Sequence, residues 1–199
     1  MKARLSTLAL SSLVVIAPAL VRSQELIPQG AEWRYLKGTQ APPGGWNART
    51  FNDGAWGTGI AGIGYGDDDD ATILDDMQEV PPDQPGYLSV YARRRFNANP
   101  AEVTSLVLRV RYDDGFVAYL NGTEILRKSM PTGTIGYGTL ASAHEGGTYE
   151  TIDISSAIGL LVQGTNVLAV EVHQSNKRSS DLVWDCELVY DRFSVSELQ

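Results

Sequence analysis

Cysteine is almost absent from this chain of 199 residues: Cys186 stands alone, so no intrachain disulfide can form and stability must come from a packed core. It falls between Trp184 and Leu188 in an alternating run and reads as a small inward-facing apolar side chain rather than a reactive thiol. Histidine is nearly as scarce. With only His144 and His173, and no second thiol, a structural zinc site is not expected. Cations are outnumbered too, 16 Lys and Arg against 24 Asp and Glu, for a formal charge of −8. Phosphate backbones and anionic membranes repel such a surface, which argues against nucleic acid as a partner. The same acidity suits calcium at extracellular levels. Strong helical periodicity is missing, and neither G-x-S-x-G nor H-E-x-x-H occurs. No carboxylate pair stands out for glycoside hydrolysis, so an enzyme is not expected.

The longest apolar run, Leu5 to about Leu20, follows two early cations, Lys2 and Arg4. Small residues sit at two plausible cleavage positions, Ala17-x-Ala19 and Val21-x-Ser23, which is the layout of a secretory signal peptide. The run falls short of the roughly 20 residues a membrane span needs. Residues 1–23 are therefore expected to be a leader and 24–199 a single domain, secreted or at the cell surface, with no membrane span after cleavage. Removing 23 residues and three cations (Lys2, Arg4, Arg22) from 199 and −8 leaves 176 residues and a charge of −11. That length suffices for one well-buried core.

What remains reads as strands. Leu106, Leu108, Val110 and Tyr112 alternate with Val107, Arg109 and Arg111, which predicts one buried face. In the segment Tyr112 to Leu126, the Asn121-Gly122 pair predicts a type I′ hairpin, because both central residues need positive φ. Tyr149–Ile154, Val167–His173 and Asp181–Tyr190 alternate similarly, and Asp153 or Ser155 is placed to cap a short helical turn that Gly164 ends. Strands at this spacing predict an all-β, antiparallel jelly-roll β-sandwich. Before Tyr87 the chain reads as loop, an irregular wrap fastened by Trp33, Trp46, Phe51 and Trp56; any one tryptophan could instead be a sugar-stacking platform. Asn121-Gly122-Thr123 is formally a glycosylation sequon, for which the turn is the preferred explanation.

Three groups of polar residues are candidates for function. Asp113-Asp114 precede the hairpin, either as ligand-binding carboxylates or as an Asx-turn that shapes the start of the strand. Asp67 to Asp70 form the strongest charge cluster, either holding a cation or solvated. The spacing there is not that of an EF-hand. Glu171, His173 and Gln174 end a strand and, with Tyr65, could line a polar pocket at one end of the sandwich.

Three segments together resemble a galactose-binding-like jelly-roll module of secreted bacterial proteins: Trp46–Thr72, Tyr112–Ile125 and Gly164–Val189. YARRRF (Tyr91–Phe96), the Asn-Gly hairpin and GTNVLAVEV are also similar to the sugar-binding-like domain of family 2 glycoside hydrolases. Such domains often buttress a catalytic barrel rather than bind sugar independently. The resemblance implies a structural calcium between an early loop and the last strand, with Asp67, Asp69, Asp185 and Glu187 as its ligands. The paired aspartates also resemble those of protective-antigen-type adhesin domains, in some of which adjacent aspartates chelate a calcium that holds sugar hydroxyls. Trp184 departs from the module, which more often has phenylalanine there, and is either a packing variant or an exposed platform. The function these features imply is a secreted, non-catalytic module that binds carbohydrate or another extracellular polymer with calcium. The alternative is a structural or assembly module of the cell surface acting through protein–protein contacts.

Overall fold

The computed structural model describes residues 20–68 and 70–194, so Asp69 and the residues of the expected leader up to 19 lie outside it. In chain order the strands are β1 (Leu20–Ile27), β2 (Glu32–Lys37), β3 (Gly57–Ile60), β4 (Ile63–Tyr65), β5 (Thr72–Ile73) and β6 (Ser89–Ala98), then β7 (Ser105–Asp113), β8 (Gly115–Leu120), β9 (Thr123–Lys128), β10 (Glu150–Asp153), β11 (Gly164–His173) and β12 (Leu182–Ser194). The boundary expected at Ser23 falls inside β1, where Leu20 to Ser23 pair with Ser194 to Asp191.

Two sheets face each other. The first runs β10-β7-β12-β4-β5, and the second runs β3-β2-β6-β11-β8-β9. All pairings are antiparallel except β4 with β5. Because β7 occupies one edge of β12 from Val183 to Asp191, β4 and β1 must share the other, β4 at Leu182–Trp184 and β1 at Leu188–Ser194. The all-β sandwich expected from alternation is the fold observed.

Alternation decides which side chains fill the space between the sheets. Leu106, Leu108, Val110 and Tyr112 of β7 are buried there while Arg109 is exposed. From the facing sheet come Phe116, Leu168, Val170 and Val172. Trp33 of β2 meets Trp184 of β12 edge-to-face across the layer, with ring centroids 6.2 Å apart and planes at 89°. Trp184 is 1% exposed, so it packs in the core and is no platform. Trp33 belongs to this core as well, not to the wrap, because β2 is a true strand of the second sheet. The region before Tyr87 is thus more ordered than its glycines and prolines suggest, and supplies five short strands.

The wrap itself is real between Gly38 and Trp56, and it covers the outer face of the second sheet. Trp46 and Trp56 stack at 6.2 Å and pack on Tyr91, Val167 and Ala169, with Phe51 against Trp56. Polar bonds fasten it from below. The Arg93 guanidinium is buried and pairs with Asp53, and it also donates to Ala48 O at 2.9 Å. Arg95 reaches the same carboxylate at 2.7 Å and Phe51 O at 2.9 Å. These two cations hold the Asp53 carboxyl below its ordinary range, although burial alone would raise it.

The hairpin has positive φ at both central residues, 54° at Asn121 and 96° at Gly122. Asn121 is also fully engaged through its side chain. Its Nδ2 donates to Leu160 O at 2.9 Å and Asn166 Oδ1 at 2.8 Å, and its Oδ1 accepts from Val167 N at 2.9 Å. Asp153 accepts from Ser155 N at 2.8 Å just ahead of a 3-10 turn, Ser155–Leu160, whose cap position is Ile154 rather than the expected Asp153 or Ser155, and which leads to Gly164 at φ 87°.

Candidate functional site

Loops gather at the end of the sandwich where β7 passes into β8 and β12 begins. The connection between β9 and β10, residues 129–149, is rich in glycine, serine and threonine and forms no strand, so only specific bonds hold it. Asp114 supplies one of them, accepting from His144 N at 3.2 Å, and it also accepts from Ser175 N, just past β11, at 2.6 Å. Asp113 accepts from Gly146 N at 3.1 Å. Neither aspartate forms an Asx-turn with its own neighbours; both clasp segments far away in sequence. His144 stacks on Tyr112, with centroids 4.1 Å apart, and its Nε2 lies 3.0 Å from Glu150 Oε1.

The clasp on Gly146, and the pairing of β12 with β7 that sets Val183 opposite Asp113, bring acids from three separate segments together. Asp113, Glu145 and Asp181 each place a carboxylate oxygen within 4.8 Å of the others. Glu145 and Asp181 border a pocket of about 270 Å³ that Tyr65, Asp67, Gly146 and Leu182 also line, with Asp113 buried against them. Asp113 is 2% exposed. Burial, reinforced by Asp114 and Asp181, pushes its pKa up to about 7. Two oxygens on one calcium at about 2.3–2.6 Å can lie up to roughly 5 Å apart, so the observed spacing suits one ion. Three hard carboxylates leave several of the six to eight positions calcium fills for water or other hydroxyls.

The other predicted residues are distributed differently. Tyr65 Oη lies 3.2 Å from Gln174 Oε1 and donates to Ser179 O at 2.8 Å, so these two do come together at the pocket end. Burial raises the Tyr65 pKa to about 12 and keeps it a neutral donor. Glu171 and His173 are not in that pocket. Both are buried on the outer face of the second sheet, where Glu171 accepts from Tyr119 Oη at 2.5 Å and lies 3.3 Å from His173 Nε2, and His173 Nδ1 meets Thr139 O at 2.9 Å. Asp67 borders the acidic pocket, but Asp185 and Glu187 do not converge on it. Asp185 is buried between Gly30 N at 3.2 Å and Tyr149 Oη at 2.6 Å. Glu187 pairs across the strands with Arg109 at 2.5 Å. Sequence reasoning missed Glu145 and Asp181; the only signals were an acid beside Gly146-Gly147 and an acid directly before β12.

Comparison with known proteins agrees at the level of fold. No family model matches the chain, and no curated protein does. Among solved structures, a Bacteroides uniformis β-glucuronidase 2 bound covalently to cyclophellitol-6-carboxylate aziridine aligns with 86% of this chain at 16% identity and a TM-score of 0.54. A calcium-binding mutant of the same enzyme aligns with 84% at 13% identity and 0.52. A family 2 glycosyl hydrolase from Bacteroides cellulosilyticus aligns with 85% at 11% identity and 0.52. The chain spans 18–20% of the length of these solved chains. Its fold is therefore that of one module within family 2 glycoside hydrolases, as the hairpin and YARRRF segments led us to expect.

Proposed function

We infer that the chain is an exported, non-catalytic binding module that takes carbohydrate or another hydroxyl-rich extracellular polymer with the help of calcium. The observation that carries this reading is the convergence of Asp113, Glu145 and Asp181 from three segments, beside a polar pocket that Glu145 and Asp181 line. Three carboxylates this close repel one another unless a cation offsets them; burial and the Asp114 charge, with Asp181 and Glu145 adding to them, raise the Asp113 pKa. Calcium would supply the missing charge and present open positions to vicinal hydroxyls, while Asp114 acts from behind by holding the Glu145 loop and Ser175 in place. Asp113, Glu145 and Asp181 replace Asp67, Asp185 and Glu187 as the ligand set in this reading, with Asp67 at the rim. Fold relationship to carbohydrate-active enzymes supports a sugar partner, and the short span of the match supports a module without a catalytic centre of its own. No helix among the described residues is long and apolar enough to cross a membrane.

Calorimetric titration of the full mature chain with calcium, followed by a glycan array with calcium and with chelator, tests this reading. Saturable calcium binding with calcium-dependent glycan signal is expected. No calcium heat, together with no glycan signal in either buffer, would overturn it.

A second reading, assembly through protein contacts, draws on Ile60 and Ile73. They are 44% and 63% exposed on neighbouring edge segments, joined where Thr72 Oγ1 donates to Ile60 O at 2.8 Å. Light scattering that shows a monomer at all concentrations would count against it.

A further inference from the structure

A second recess, of about 320 Å³, opens beside the start of β6 and has the opposite character to the acidic pocket. Pro85, Tyr87, Leu88 and Tyr137 form mostly apolar walls, Gly38 lies in the lining, and Lys177 is at its edge. Its walls are fixed. Tyr87 Oη donates to Asp76 at 3.1 Å, Ser89 Oγ donates to Tyr137 O at 2.9 Å, and Gly38 N donates to Ser89 O at 2.7 Å. A Cβ on Gly38 would come within 2.0 Å of Ser89 Oγ, so only glycine lets these backbones meet. Tyr137 is nevertheless 44% exposed, a costly position for an aromatic ring that the surrounding loop does not cover. The volume lies at the lower end of small-molecule sites, roughly 300–1,000 Å³, which are typically apolar walls with few polar groups.

Charge narrows the ligand. Lys37, Arg95, Arg109, Arg127, Lys128 and Arg178 each pair with a carboxylate. Lys177 has no carboxylate partner among the described residues; its Nζ touches only Pro85 O, at 3.3 Å. An unneutralised ammonium beside aromatic and proline walls, in a chain of net charge −8, is complementary to a single negative group carried on an apolar face.

We propose that this recess takes a carboxylate-bearing sugar ring, a uronic acid residue of a polysaccharide, with the C–H face of the ring against Tyr137 and the carboxylate toward Lys177. The assignment rests on the carbohydrate reading above but does not use the calcium pocket. The net negative charge of the chain disfavours such a polymer in general, so binding is local and weakens with salt.

The test is calorimetric titration of the full mature chain with an oligosaccharide of glucuronic acid and with its methyl ester, each in chelator and in calcium. In chelator the acid should bind and the ester bind more weakly. Lys177→Gln should weaken the acid about fivefold and leave the ester unchanged. Tyr137→Ala should weaken both by about tenfold. Both side chains are exposed, and an unchanged urea midpoint confirms each variant is folded. Equal affinity for acid and ester, no binding in chelator, or chelator binding that neither variant alters would each overturn the proposal. Binding only in calcium, retained by both variants, removes this site and leaves the calcium reading standing. Chelator binding with no calcium heat does the reverse.

Discussion

Asp113→Asn removes one ionisable group yet keeps a side-chain oxygen for Gly146 N, which isolates the charge at the acidic pocket from its hydrogen bonding. The folded pKa of Asp113 is about 7, above its ordinary 3.8, so the native state holds this proton more tightly than the unfolded chain. Below about pH 4 both states carry the proton and the group is neutral in its effect. Between about pH 4 and 7 the unfolded chain ionises first, and stability falls as pH rises; above 7 the loss is complete and the curve is flat. Three units at about 1.4 kcal/mol each set a ceiling of about 4 kcal/mol, and screening through the exposed Glu145 side lowers the practical value to about 1–3 kcal/mol. In chelator at pH 8 the variant should therefore be more stable than the parent by about that amount, and its stability should depend less on pH between 4 and 7. Calcium should stabilise the parent at pH 8 and have little effect on the variant. Urea unfolding at pH 5 and pH 8, with chelator and with calcium, reads all four quantities. A variant that is less stable than the parent at pH 8 in chelator, with the parent's pH slope intact, would refute the reasoning.

Arg93→Ala should cost about 3–5 kcal/mol in urea unfolding, because it leaves the Asp53 carboxylate buried without its central partner and loosens the wrap; a cost below 1 kcal/mol would mean the wrap is held by its aromatics alone. Trp184→Ala should also cost about 3–5 kcal/mol, since it empties the contact with Trp33 and Phe116 between the sheets. A near-neutral result would contradict its place in the core. Cys186 is buried and its thiol is pushed well above the ordinary range, so it should resist thiol reagents at pH 8 until the chain unfolds. Stoichiometric labelling of the native protein would contradict that burial.

Legibility in the sequence followed the range of the interaction. Alternation in β7 and β11 and the Asn121-Gly122 turn are local, period-two or two-residue signals, and each marked a real element. Glu171 and His173 sat on the predicted opposite face of β11, yet they are buried, because segments distant in sequence close over that face, Tyr119 bonding Glu171 and Thr139 of the β9–β10 connection meeting His173. Arg93 is an arginine in a strand by sequence and a buried staple in the fold, for the same reason. The candidate site shows the limit most clearly. Asp113 was legible beside its turn, whereas Glu145 reaches it through the bonds that Asp113 and Asp114 make to Gly146 and His144, and Asp181 through the register of β12, which sets Val183 opposite Asp113. Trp33 was misassigned because β2 is short and flanked by turn residues, which hid a core strand within a loop-like composition.

The long β12 strand has a practical consequence. It begins beside the acidic pocket, at Leu182, and ends where Ser194 pairs with Leu20 of β1. At about 3.3 Å per residue, that places both ends of the described chain at one corner, roughly 40 Å from the carboxylates. A fluorophore placed on a side chain at that corner would stand clear of the pocket loops, and immobilising the molecule there would turn those loops outward.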